Sequence, residues 1–451
     1  MSIADLTQLL GVADLGAELR TLLERLYPIC RSITGQGVRD TLAILREAIP
    51  LDVHEVPSGT AAFDWVVPRE WNIRDAYVKN SRGERVIDFK KSNLHVVGYS
   101  VPVAKKMSLA ELKPKLHSLP AHPNWIPFRS SFYRDDWGFC LEHERLQALP
   151  EDEYEVVIDS TLADGSLTYG ELFVPGTTSE EVLLTAHVCH PSLCNDNLTG
   201  ISVSTLLARY VLAQSRAGRP RRYGYRFLFA PVTIGSITWL SRNERTVEQL
   251  RHGLVLTLLG DSGPIHYKRS QRGDALIDRA AVHVLRSAGE PHVVDDFSPY
   301  GYDERQFCSP GFDLPVGCLM RTPYQQFPEY HTSGDNLEFV RTDKLLDSLS
   351  KCLEILDVLE HDATYSNLSP KTEPQLGRRG IYRALADRGS DGANEMAILW
   401  VLNQSDGTRS LLDIAERSKL KFEHVRAAAA LLEECKLLQR AASGAVKREK
   451  Q

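Results

Sequence analysis

His187, Asp196, Asp261 and His331 are the residues whose types and settings suit metal-assisted hydrolysis. The first two share the stretch Thr185-Ala-His-Val-Cys-His-Pro-Ser-Leu-Cys-Asn-Asp-Asn-Leu-Thr-Gly200. Asp261 lies in Leu259-Gly-Asp-Ser-Gly263, and His331 in Pro328-Glu-Tyr-His-Thr-Ser-Gly-Asp-Asn336. A hydrolytic zinc site needs imidazole nitrogens and carboxylate oxygens, with one position left open for water. A single His or Asp after a strand is ordinarily a loop residue, so the weight falls on the four together. His190 is a further candidate, as a ligand or as support for one. Cys189 and Cys194 have C-x₄-C spacing without a second pair, so they read as buried thiols rather than a structural zinc site.

The elements that would position these residues alternate between strand and helix. Glu181–Thr185 is an apolar run of strand length, and Gly200 to Ala213 carries a helical apolar stripe. Tyr225–Ala230 and Leu254–Leu259 read as further buried strands, and Ser236–Leu250 and Ala275–Ala288 as helices. Continuous apolar strands alternating with helices predict an α/β sheet covered on both faces. Ligands collect at the carboxyl ends of strands in such sheets. His187, Asp196 and Asp261 fall at such ends, and His331 lies in a long loop that can reach them.

Upstream, Leu9, Leu10, Leu15, Leu19, Leu22, Leu23 and Leu26 recur at helical spacing. Short β-like runs broken by Pro, Gly, Asn and Asp then dominate, with Trp65, Trp71, Trp125 and Trp137 among them. These tryptophans suit either core packing or a cap over the site. Downstream, Asn394 to Arg440 reads as helix, turn, helix and wing. The expected division is 1–55 as the N-terminal helical part of a hydrolase-like domain, 56–175 as an inserted β-rich domain, and 176–365 as the remainder. A linker at 366–390 and a winged helix at 391–451 complete it.

The 451 residues carry a formal net charge of −6, are 43% hydrophobic and 25% charged, and contain eight cysteines. That composition is ordinary for a soluble protein and gives no electrostatic case for nucleic acid or an acidic membrane. Met1-Ser-Ile-Ala-Asp-Leu6 lacks a basic segment followed by an apolar one, so no secretion signal is expected. No apolar run is long enough to suggest a membrane span. The cytoplasm is the expected compartment. The Ala-rich stretch Arg426–Ala430 suits helix packing better than base readout.

Several long stretches resemble a family of bacterial aminopeptidase-like proteins. They are Tyr27–Gly35, Asp64–Tyr77, Phe89–Ser100, the opening motif, Asp303–Gly317 and Pro328–Ser333. The resemblance implies a zinc-aminopeptidase (phosphorylase/hydrolase-like) α/β fold, a mixed sheet flanked by helices, with the inserted β-rich domain and the C-terminal winged helix. More distantly, the chain is similar to leucyl aminopeptidases with two zinc ions. That similarity implies His187 and Asp261 on a first zinc, Asp196 as the bridging carboxylate and His331 on a second zinc. It implies a cofactor of one or two zinc ions and a substrate that is a small peptide or amide-containing molecule. No nucleic-acid or membrane partner is implied, and a homo-oligomer is left open.

The sequence departs from this pattern twice. Cys189 stands where the distant relatives carry an Asp that orients the first histidine, so another group must do this. Pro231-Val-Thr-Ile-Gly-Ser236 replaces a Pro-Glu-Thr-Ile-Gly-Ser motif, leaving Val232 where the general base is expected. A positioned base contributes about 10²–10⁴-fold in rate. Three readings follow: a weakened or inactive relative that keeps its metal, a substitute base such as Glu304 or Glu329, or a different reaction on an amide. Salt bridges to Arg305 or Arg321 are the simpler roles for these two glutamates.

Overall fold

The computed structural model describes residues 3–381 and 392–441. It divides into two units, Met1–Ala275 with Val293–Ser350, and Leu276–His292 with Lys351–Gln451.

The first unit opens with helices Ile3–Leu10, Leu15–Leu26 and Gln36–Arg46. Asp14 starts the second of these by accepting the N–H groups of Gly16 at 2.8 Å and Ala17 at 3.2 Å. These are donors that the first helical turn cannot satisfy internally. Leu15, Leu19, Leu23 and Leu26 form its buried stripe.

Ten strands follow: β1 (Asp52–Pro57), β2 (Ala61–Ala62), β3 (Trp65–Val66), β4 (Glu70–Lys79), β5 (Arg85–Asp88), β6 (Val103–Ser108), β7 (Leu116–His117), β8 (Phe139–Cys140), β9 (Glu153–Ala163) and β10 (Ser166–Val174). Four of them make an antiparallel sheet in the order β5-β4-β9-β6. In β9, buried Tyr154, Val156 and Ile158 alternate with more exposed residues, the period-two signature of a one-sided sheet. Trp71 in β4 is buried, with its Nε1 donating to Ser100 O at 2.9 Å, whereas Trp65 is exposed. Core packing and surface exposure therefore divide these tryptophans.

β1 and β10 instead join the large sheet. Its other strands are β11 (Glu181–His187), β12 (Gly224–Ala230), β13 (Leu250–Leu256), β14 (Ile265–Lys268), β15 (His292–Asp295) and β16 (Val316–Met320). The order is β1-β10-β12-β11-β13-β16-β14-β15. The β12-β11-β13-β16 centre is parallel, while β1-β10, β10-β12 and β14-β16 pair antiparallel. Every residue of β11 is buried, as expected of a parallel strand covered on both faces.

The helix after Val232 differs from expectation. It runs Ile234–Arg242 and is followed by a separate turn, Glu244–Val247. Asn243 ends it by donating from Nδ2 to Trp239 O at 2.8 Å, and β13 already begins at Leu250.

In the second unit, β17 (Thr364–Asn367), β18 (Asp406–Ser410) and β19 (Leu438–Arg440) form a sheet with β17 in the middle. Residues 364–367 thus belong to the winged-helix sheet. Ser410 caps helix Leu411–Ser418 in a reciprocal box with Asp413. Arg279 joins helix Leu276–Ala288 to Asp413 at 2.7 Å and to Glu416 at 2.6 Å. Among the described residues no helix is long and apolar enough to cross a membrane.

Candidate metal centre

β11 ends at His187, whose partner across the parallel ladder is Ala230, the last residue of β12. Val188 N donates to Ala230 O at 3.0 Å. The register therefore sets Pro231 and Val232 at the same sheet edge as His187. After β11 the chain turns through His190 and re-enters the core at Asp196, ahead of helix Thr199–Arg216. The Asp196–Asn197 and Val232–Thr233 peptide bonds are cis.

Asp196 is the hub of the cluster. Its Oδ1 lies 2.9 Å from His187 Nε2, and its Oδ2 lies 3.1 Å from His331 Nε2 and 3.8 Å from His190 Nε2. The ligand atoms of His187, His190 and Asp196 all fall within 4.8 Å of one another. Aromatic rings hold the imidazoles. Tyr302 stacks on His187 with centroids 5.0 Å apart, Tyr330 stacks on His331 at 4.0 Å, and Phe128 stands edge-on to both His190 and His331.

The charge states suit a cation. Burial works to raise the Asp196 carboxyl, but His190, His187 and His331 together hold it well below the usual carboxylate range. Burial pushes His190 down to about 3, against the pull of Asp196, so its ring is neutral at physiological pH. An anionic carboxylate and a neutral imidazole are the forms that bind zinc. The donor set fits a zinc ion.

Asn197 takes the orienting place that Cys189 cannot. Its Nδ2 lies 3.3 Å from His187 Nδ1 and donates to Leu256 O at 3.0 Å, while its Oδ1 accepts from Gly200 N at 3.1 Å. This contact fixes the plane of the imidazole, and the tautomer decides which ring nitrogen carries the proton. A metal on Nε2 would call for the amide oxygen to face Nδ1 instead. Cys189 and Cys194 are free, buried thiols, and burial raises both above the ordinary thiol range.

Asp335 is a site residue that the sequence reading missed. It accepts the N–H groups of Asn195 at 2.6 Å and Asp196 at 3.0 Å, and so fixes the backbone that carries the hub. Burial pushes its carboxyl up to about 8, against the pull of those N–H groups. The signal was a second carboxylate within the His331 motif.

Asp261 stands apart from the cluster. Its Oδ1 accepts from Thr322 Oγ1 at 2.6 Å and Gly263 N at 2.8 Å, and its Oδ2 from Asn195 Nδ2 at 3.1 Å and Thr322 N at 3.2 Å. Both oxygens are committed to the chain itself. In this arrangement Asp261 ties the loop after β13 to the loop of the hub.

The glutamates named as substitute bases are placed as follows. Glu304 is fully buried and its Oε1 pairs with Lys268 Nζ at 2.8 Å, not with Arg305 or Arg321. Arg321 pairs with Asp347, not Glu329. Glu329 is half-buried, and its backbone carbonyl accepts from Thr332 N at 3.0 Å. The neighbour of Glu304 is the more telling residue. Asp303 is 2% exposed, and burial pushes its carboxyl up to about 6 against the pull of His187 and Ser236.

Comparison with known proteins bears on the fold and the family. Residues 20–362 match a family described as a domain of unknown function, DUF4910, and residues 363–440 match a winged helix-turn-helix family. A Clostridium acetobutylicum protein named for polysaccharide biosynthesis and for an aminopeptidase-like domain is 53% identical over 427 residues, covering 95% of this chain and 97% of that protein. A crystal structure from C. acetobutylicum, named as that of a peptidase, superposes with a TM-score of 0.89 at 52% identity, over 94% of this chain and 96% of that one. The fold extends to a zinc aminopeptidase from Bacillus subtilis, at a TM-score of 0.55 and 11% identity over 76% of this chain and 94% of that one. It extends also to an M28 peptidase precursor from Shewanella amazonensis, at 0.54 and 13% over 79% and 95%. The fold is therefore the mixed α/β fold of zinc aminopeptidases followed by a winged helix, and the chain belongs to the DUF4910 family.

Proposed function

We propose that the chain is a zinc-dependent, aminopeptidase-like hydrolase that cleaves an amide bond in a small substrate. The convergence of His187, His190 and His331 on the Asp196 carboxylate carries this reading. The same four side chains would hold a single zinc ion, since Asp261 is committed elsewhere and Val232 offers no donor. Zinc bound there would supply a Lewis acid for the amide carbonyl. The chain's own part is to keep Asp196 ionised, His190 neutral and the rings fixed against Tyr302 and Tyr330.

The name of the C. acetobutylicum relative supports a substrate from polysaccharide assembly, an amide borne by a sugar rather than a long peptide. Val232 favours a second reading, a scaffold that keeps its metal without turnover. One experiment separates them. The purified chain should contain zinc and release amine from leucine p-nitroanilide or from an N-acetylated hexosamine. Zinc without release on either probe supports the scaffold, and absence of both removes the hydrolase reading.

The winged helix fits docking better than DNA recognition. Helix Phe422–Glu434 buries Ala428 and Ala429 and carries Glu423, Glu433 and Glu434. Its Arg426 is paired with Asp357 at 3.3 Å.

A further inference from the structure

Val232 removes a carboxylate from the edge of the large sheet, but a different one stands nearby. Asp303 precedes the short helix Glu304–Phe307 and does not cap it. Its Oδ1 is buried and has no hydrogen-bond partner. The adjoining Tyr302 ring lies against His187 at 5.0 Å and 16°. Burial is the largest influence on this carboxylate, followed by His187 and by a hydrogen bond with Ser236. Asp303 thus follows the ring that packs on the first histidine of the centre, and Arg305, two positions on, donates from Nη2 to Thr233 Oγ1 at 3.3 Å, beside Val232. Ser236 Oγ, Thr257 Oγ1 and Tyr302 Oη are buried nearby, with Ser236 beside Asp303 and Thr257 beside the Tyr302 hydroxyl. Buried polar groups are nearly always paired, and unpaired ones need an explanation such as a catalytic role or a bound water. Glu304 Oε2 is likewise buried without a partner, but its Oε1 is held by the Lys268 ammonium at 2.8 Å, so its charge is already balanced in an ion pair.

We propose that Asp303 is the carboxylate that takes the proton of water during amide hydrolysis at this centre, the role that Val232 cannot fill. The proposal rests on the hydrolase reading above. One O–H bond of water breaks and its proton passes to Asp303, while the oxygen bonds to the carbonyl carbon. The C–N bond then breaks, its electron pair stays on nitrogen, and nitrogen takes the proton from Asp303. Acid and amine leave, and the carboxylate is restored.

The test compares wild type, Asp303→Asn, Val232→Glu and the double variant as full-length, zinc-loaded protein. The readouts are zinc content, melting temperature and kcat and KM on leucine p-nitroanilide and an N-acetylated hexosamine. Asp303→Asn should lower kcat about 100-fold or more, leave KM and zinc content unchanged, and keep or raise the melting temperature, because an unpaired buried carboxylate is lost. Adding Val232→Glu should restore most of the lost rate. Three results would overturn the proposal: a kcat within about threefold of wild type, zinc lost in step with activity, or a lowered melting temperature without rescue by Val232→Glu. An inactive wild type that holds zinc, with Val232→Glu active whether or not Asp303 is present, would overturn Asp303 and leave the hydrolase scaffold standing. Absence of both zinc and activity in all four proteins would overturn the hydrolase reading itself, and Asp303 with it.

Discussion

His331 Nε2 lies 3.1 Å from Asp196 Oδ2, although 135 positions separate the two residues. The β-rich region brings them together. Phe128 N donates to His331 O at 2.7 Å, Ser333 N to Ile126 O at 2.8 Å, and Ile126 N to Ser333 Oγ at 2.9 Å. The loop that carries His331 is thus clamped by the segment before Phe128. Asp196→Asn should lower zinc affinity the most, because its carboxylate faces all three histidines. His187→Ala and His331→Ala should each lower it by more than the roughly 10–100-fold typical of a supporting group. Competition with a chromophoric chelator measures this.

The ladder pair His187 and Ala230 places residue 232 at the sheet edge beside the cluster. Val232→Glu should therefore restore amide hydrolysis to the Asp303→Asn variant, recovering most of the roughly 10²–10⁴-fold that a positioned base contributes, at constant zinc content. Unchanged rates with correct folding would show that position 232 does not reach the reacting atoms.

Glu304 is expected to matter for stability and not for turnover. Its partner Lys268 also donates to Ser298 O at 2.8 Å and to Tyr300 O at 2.6 Å, so the ammonium sits at the centre of a buried network. Breaking a buried pair from one side costs about 3–5 kcal/mol. Glu304→Gln should lower the denaturation midpoint accordingly, with zinc content unchanged. A stable variant that has lost only activity would place Glu304 in the chemistry.

His252 gives a pH prediction away from the site. It is buried in β13, 3.4 Å from Tyr223 Oη, and its Nδ1 has no partner. Burial, with help from Arg222 and Arg251, pushes it down to about 3 from an ordinary value of 6.5. The unfolded chain therefore takes up this proton first. The stability held above pH 6.5 is lost progressively as pH falls toward 3. At about 1.4 kcal/mol per unit, the loss is on the order of 3 kcal/mol by pH 4. His252→Leu should flatten this acid limb in urea denaturation from pH 7 to 4.

The fold was legible wherever the pattern was local. The run from Glu181 needed burial on both faces, and the leucines before residue 27 needed one helical face. His187, Asp196 and His331 could be singled out because each lies in a short stretch with a recognisable setting. What the sequence hid depends on partners distant along the chain. Asp261 reads as a lone strand-end carboxylate, and its bonds to Thr322 and Asn195 come from distant parts of the chain. Asp303 and Glu304 are adjacent and both buried, each with one oxygen left without a partner, and only the arrival of Lys268 from β14 gives Glu304 an ion pair. Asp335 acts through main-chain N–H groups of another loop, which no side-chain motif encodes.

The central claim is a metal centre built on Asp196. The most direct measurement is a crystal of the zinc-loaded protein with anomalous data collected on both sides of the zinc edge. The account predicts a single peak bounded by His187 Nε2, His331 Nε2 and the Asp196 carboxylate, with His190 beside it and the Asp261 carboxylate still bound to Thr322. No peak at Asp196 in protein loaded with zinc, or a peak ligated by Asp261, would contradict it.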